Sequence, residues 1–179
     1  MTENKNELVI TRVFDAPVET VWKYWTDPET FKKWWGPKDF TCPVAKIDFR
    51  VGGKYHVAMH GPAGGEFDKD LWSTGTYQEI DPMKKIVVTD SFADEKGDVV
   101  PASYYGMLES FPMETTISIT FEQHPPAGGG KTKMTLYYPS TEGIEGKMLD
   151  DMTQGWNQSF DKLKTIVLRQ VDSPRLRVV

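Results

Sequence analysis

Two hydrophobic periods share this chain, and they change over once, near Ser140. From residue 43 to residue 138, apolar and polar residues alternate in run after run, the period of a strand with one wet face. VAKIDFRV (44–51), Gly52-Gly53 and KYHVAMH (54–60) carry a hairpin signature. LWSTGTYQEI (71–80), KIVVTDSF (85–92), METTISITFEQ (113–123) and KTKMTLYY (131–138) read as four more strands. Beyond Ser140, Ile144, Met148, Met152, Trp156, Leu163 and Val167 fall on one helical stripe, with Phe160 and Ile166 beside it. As a single helix, 141–168 is ~42 Å long at about 1.5 Å per residue. An antiparallel sheet of this size must cover one face, and only that helix is long and amphipathic enough to do so. The prediction is α+β: a curved antiparallel sheet gripping a long C-terminal helix.

The front of the chain completes the pattern. LVITRVF (8–14) is β-branched and apolar and reads as the first of seven strands. Ala16-Pro17 opens a short helix whose Val18, Val21, Trp22 and Trp25 share one face. Thr26-Asp27-Pro28-Glu29 stops it and caps a second, with Phe31, Trp34 and Trp35 on its apolar side and Gly36-Pro37 at its end. Nothing divides the chain, so one domain is expected over 7–170, between loose tails at 1–6 and 171–179. The stretch 93–112 has no clear period; an unstructured connection that long suits a lid.

Composition closes several functional classes. Lys and Arg number 21 against 26 Asp and Glu, a net charge of -5, which argues against a nucleic-acid backbone as partner. Apolar runs never exceed three residues, so neither a membrane span nor an export leader is expected. Six Trp, seven Tyr and nine Phe rule out an unfolded polar chain. The one cysteine, Cys42, allows no internal disulfide and fits a reducing compartment, so a cytoplasmic location is expected.

Motifs for chemistry are incomplete. GGGKT (128–132) resembles a phosphate loop, but Pro125 stands where its first glycine belongs and a strand follows instead of a helix. His56 and His60 on one strand are ~13 Å apart, too far for a shared ion. Glu66, Asp68 and Asp70 lack the turn glycine and closing Glu of a calcium loop. Asp48 and Arg50 read as one strand's ion pair, and Cys42 as a buried thiol without a base. No metal, cofactor or catalytic motif is expected. The informative feature is the stripe itself: Gly143, Gly146 and Gly155 interrupt its large residues, and Met148 and Met152 adapt to irregular shapes. Such a helix over a concave sheet leaves a ligand cavity. Trp156 should line it, so that truncation to Ala costs only ~1–2 kcal/mol.

Four phrases, ITRVFDAPVETVWKYWTDPETFKKWWGP, PVAKIDFRVGGKYHVAMHGPAGGEF, GTYQEIDP and GWNQSFDKL, together resemble the activator of heat-shock protein 90 ATPase homologue 1-like family. That family belongs to the START-related, helix-grip superfamily, and the resemblance spans roughly residues 7–168. It implies seven strands around the long helix and a deep apolar cavity between them. By position it implies a lining of Met59, Trp72, Tyr77, Phe92, Met134, Met148, Met152 and Trp156, with Trp34 and Trp35 near the mouth. The leading expectation is binding of a small apolar or amphipathic molecule. One alternative is a co-chaperone-like interaction module acting on a chaperone. The other is a cyclase- or hydrolase-type enzyme, for which Tyr77, His60 and Asp90 are the candidate acids or bases.

Overall fold

Each alternating run becomes a strand, and the strands join into one curled sheet. The computed structural model describes residues 6–172. Strand β1 (Leu8–Phe14) is followed by α1 (Val18–Thr26) and the single-turn α2 (Pro28–Phe31). Then come β2 (Thr41–Ile47), β3 (Lys54–His60), β4 (Asp70–Asp81), β5 (Lys85–Ala93), β6 (Thr115–His124), β7 (Lys131–Tyr138) and the long α3 (Lys147–Asp172). The seven strands are ordered β1-β7-β6-β5-β4-β3-β2, every neighbouring pair antiparallel. Strands β2 to β7 are therefore a meander, and β1 closes the far edge against β7. Among the described residues, no helix is long and apolar enough to cross a membrane.

Register fixes which side chains face the helix. Tyr55, Val57 and Met59 of β3 lie opposite Gly75, Ser73 and Leu71 of β4, and Ser73 lies opposite Phe92 of β5. Because side chains alternate, all of these share the concave face. On the other side of the sheet's middle, Met134 and Leu136 of β7 meet Phe121 and Ile119 of β6. Phe160, Leu163 and Val167 of α3 pack on that half without any exposure, together with Phe14, Val21 and Trp34. Burying side chains of this size contributes ~1.5–3 kcal/mol each. Arg12 of β1 reinforces the join, donating to Asn157 and Asp161 of α3. In the N-terminal half of α3, by contrast, no residue before Ser159 is fully buried.

Four local expectations change. Helix α3 begins at Lys147, because Gly143 (φ 82°) and Gly146 (φ 56°) adopt left-handed backbone in the connection before it. A Cβ on Gly143 would come within 2.2 Å of the Ser110 carbonyl oxygen. Ile144 is thus buried from the connection, and Gly155 is the one of the three glycines inside the helix. Strand β2 starts three residues before its alternating run and ends four residues before that run does. Asp48 and Arg50 consequently pair in the turn after it, at 2.9 Å, rather than along a strand. The stop-and-cap signal at Asp27 is realised, its carboxylate accepting from the Glu29 and Thr30 amides at 2.9 and 3.2 Å. But α2 is one turn long, and Trp34 and Trp35 sit in the turns beyond it. Segment 94–114 is not structureless: it contains the 3₁₀ turn Ala102–Tyr105, tied down by the Tyr105 hydroxyl, which donates to the Ala93 carbonyl at 2.6 Å.

The expected loose tails lie outside the described residues apart from Asn6, 171 and 172. Asn6 is held, its carbonyl accepting from the Thr141 amide at 2.7 Å, and 171–172 continue α3.

Candidate functional site

Where α3 lifts off the sheet, a cavity of about 510 Å³ remains. Its roof is Met148, Met152, Gly155 and Trp156 of α3. The sheet supplies Met59, Leu71, Ser73, Asp90, Phe92 and Tyr138 as floor. Trp35 and Phe40 form one rim; Met107 and Phe111, from segment 94–114, form another. The gap exists because the helix residues facing the sheet here are glycine, two flexible Met and one Trp, instead of the Phe, Leu and Val that fill the C-terminal half.

Behind it lies a second void of about 30 Å³, lined by Ile47, Ile86, Val88, Ile117, Ile119 and the rings of Tyr55 and Tyr77. Trp35 and Trp156 border both spaces. Their rings stand edge to face at 5.4 Å, and Trp156 is further packed on Trp25 and Phe160. This aromatic partition holds the two chambers apart.

The residues singled out in the sequence divide three ways. Trp35, Met59, Phe92, Met148, Met152 and Trp156 come together around the cavity. Trp72 borders it as well, but its ring stacks on His56 at 4.5 Å, on the face opposite to Leu71 and Ser73. Tyr77 faces the small rear void. Trp34 and Met134 are in the solid core with no exposure: the Trp34 indole N–H donates to the Tyr24 carbonyl at 2.8 Å, and Met134 sulfur accepts from Trp25 Nε1 at 3.1 Å. Trp34 is therefore not at a mouth; of two adjacent tryptophans in a turn, one points inward. Tyr138 and Phe111 join the lining without having been singled out. Tyr138 was within reach of pattern alone, since it shares strand parity with Met134. Phe111 lies in an aperiodic stretch that carries no such signal.

One ionisable group sits deep in this apolar space. Asp90 lines the cavity floor and accepts a very short hydrogen bond from the Tyr55 hydroxyl. Burial pushes its carboxyl above the ordinary range, while the Tyr55 bond pulls it partly back. Burial also raises the Tyr55 and Tyr138 hydroxyls, and the Asp90 charge raises them further. Tyr138 in turn accepts from Trp156 Nε1 at 3.0 Å.

The other candidates lie elsewhere. His60, at the end of β3, meets Asp70 at 2.7 Å and Asp68 at 3.1 Å through opposite ring nitrogens, both of which donate when the ring is protonated, so the carboxylates do not converge. Among the described residues, no group of three His, Cys, Asp or Glu is placed to hold a metal ion. Cys42 is buried, its thiol pushed up to about 12 by desolvation.

A sheet curled around one long helix, with a cavity between them, defines a helix-grip protein. The chain belongs to the Activator of Hsp90 ATPase homolog 1-like family, whose model matches residues 15–167. Hydrophobic ligands are commonly bound within this fold family. A protein from Chromobacterium violaceum is 26% identical over 90% of this chain and 96% of its own, with a TM-score of 0.69. A solution structure from Arthrobacter aurescens is 22% identical, covering 97% of this chain and 92% of that one at a TM-score of 0.73. The AHSA1 protein of Silicibacter pomeroyi, 18% identical over 92% and 99% of the two chains, superimposes with a TM-score of 0.68. No curated protein matches the chain.

Proposed function

We propose that this protein binds a small apolar or amphipathic molecule in the cavity between α3 and the sheet, and does so in the cytoplasm, where a lone reduced Cys42 is at home. The observation that carries the reading is the 510 Å³ space itself, within the ~300–1,000 Å³ of small-molecule sites and walled by Met and aromatic side chains. A ligand burying ~300 Å² of apolar surface gains ~7 kcal/mol before association costs, which sets about ten micromolar as the tightest affinity this burial alone can give. The test is a titration with fatty acids, flavonoids and polycyclic aromatics, read by tryptophan emission and checked by calorimetry. Trp156 and Trp35 line the cavity and serve as reporters. Saturation near one equivalent supports the reading; failure of every compound to saturate overturns it.

A second reading, as an interaction module for a chaperone, is favoured by the exposed apolar side chains Tyr104, Leu108 and Met113 on segment 94–114. Its test is the ATPase rate of a heat-shock protein 90 chaperone with and without this protein. A rate that does not change removes it.

A further inference from the structure

The charges around the cavity are of one sign. Among the described residues, its lining contains Asp90 and Asp151 but no Lys, Arg or His. Asp151, at the exposed first turns of α3, already pairs with Lys147. Among the described residues, Asp90 takes part in no ion pair. Its carboxylate receives one bond, from Tyr55, and its backbone carbonyl another, from Thr115. The bond to the carboxyl itself is donated by the Tyr55 hydroxyl, which suits an ionised carboxylate. A buried carboxylate of this kind is costly unless a positive charge reaches it. The rings of Trp156, Trp35 and Tyr138 line the same space, and aromatic rings attract cations.

We infer that the cavity selects an amphipathic molecule with a cationic head: a flat hydrocarbon body under α3 and a protonated amine on the Asp90 carboxylate. The inference rests on the binding function proposed above and names the ligand class for the same site. Carboxylate-headed molecules such as fatty acids are the disfavoured class, since their charge would meet Asp90 with no Lys or Arg among the lining residues to offset it. Bringing an ammonium to Asp90 also stabilises the ionised form against the burial that raises its pKa. Tyr55 and Tyr138 remain neutral beside it, their hydroxyls raised by the same burial.

The experiment uses one hydrocarbon body with three heads: naphthylmethylamine, naphthylmethanol and naphthoate, each titrated calorimetrically at fixed salt into the wild-type protein and into Asp90→Asn. In the wild type the amine should bind about tenfold tighter than the alcohol, and the naphthoate about tenfold weaker, the scale of a charge-assisted hydrogen bond. Asp90→Asn keeps the shape of the floor and should bring the amine to within about threefold of the alcohol, both measured in the same variant. A naphthoate that binds as well as the amine, or an amine preference that survives Asp90→Asn, overturns the inference. Should Asp90→Asn fail to fold by circular dichroism, the ranking in the wild type decides alone. The neutral alcohol separates the two levels: if it saturates without an amine preference, only the head-group selection is wrong, and if none of the three binds, the cavity reading falls as well.

Discussion

The indole N–H of Trp156, on α3, meets the hydroxyl of Tyr138, on β7, at 3.0 Å. This bond pins the roof of the cavity to its floor at the point where the helix leaves the sheet. It also turns the Trp156 ring so that one side faces the cavity and the other is packed against Trp25 and Phe160.

That packing revises the cost of losing Trp156. Four aromatic neighbours, Trp25, Trp35, Tyr138 and Phe160, surround it at 5.4 to 6.5 Å. Trp156→Ala should therefore destabilise by about 3 kcal/mol, at the low end for buried aromatics because one side of the ring lacks neighbours. Trp156→Phe keeps most of the packing and loses the bond to Tyr138, for about 1 kcal/mol. Denaturant melts check both; a loss below about 2 kcal/mol for the Ala variant would return Trp156 to the lightly packed lining expected from the sequence.

Two glycines should respond to alanine with opposite signs. A Cβ on Gly75 would fall 1.8 Å from the Thr89 carbonyl oxygen and 2.6 Å from the Tyr55 ring. Gly75→Ala must push β4 and β5 apart and should cost about 3 kcal/mol or prevent folding. In Gly155 the added Cβ meets only Pro37, at an ordinary 3.5 Å. Gly155→Ala should stabilise by up to about 1 kcal/mol through helix propensity. Thermal melts of the pair decide.

Cys42 should be chemically silent. With its thiol pushed up to about 12, only about one molecule in ten thousand is thiolate at pH ~8. A disulfide reagent should modify the native protein far more slowly than the denatured one. Equal rates would place the thiol at the surface.

His60 should give a pH-dependent contribution. Its hydrogen bonds to Asp70 and Asp68 raise its pKa above that of the unfolded chain. A raised folded pKa makes the contribution complete below the unfolded value of about 6.5 and removes it as pH rises through the folded value. The melting temperature of the wild type should exceed that of His60→Gln at pH ~5.5, and the gap should close by pH ~8.5. A gap that widens with pH contradicts the pairing.

The strands were readable because alternation is a property of each segment alone. β1 and β3 have the bounds that their apolar runs mark, and β5 and β7 differ from theirs by no more than a residue. β2 was misplaced because VAKIDFRV alternates through a turn that only long-range closure defines: Gly52 donates to the Tyr77 carbonyl at 2.8 Å across the sheet. The glycines before α3 look helical by spacing, yet Gly143 has a left-handed backbone and lies so close to Ser110, thirty-odd residues away in the chain, that no side chain fits between them. Within the site, the resemblance offered Met59, Phe92 and Trp72 together, yet Trp72 is one residue out of step with Ser73, and a single residue reverses a strand's face. Asp90 could be seen as an unusual polar residue in an apolar run. That Tyr55 reaches it, from thirty-five residues earlier, could not.

The uneven burial of α3 makes it a helix with one fixed end and one releasable end. Its last turns are held by Phe160, Leu163 and Val167, all without exposure, whereas Met148 and Met152 rest over open space. The first turns bury no side chain fully, so unzipping them needs far less free energy than unfolding the domain. An opening of these turns beside Phe111 and Met107 would admit a guest with the domain's cooperative unit left intact. Amide hydrogens over 147–153 should exchange with solvent long before those over 160–167, and an occupant of the cavity should slow the first group selectively.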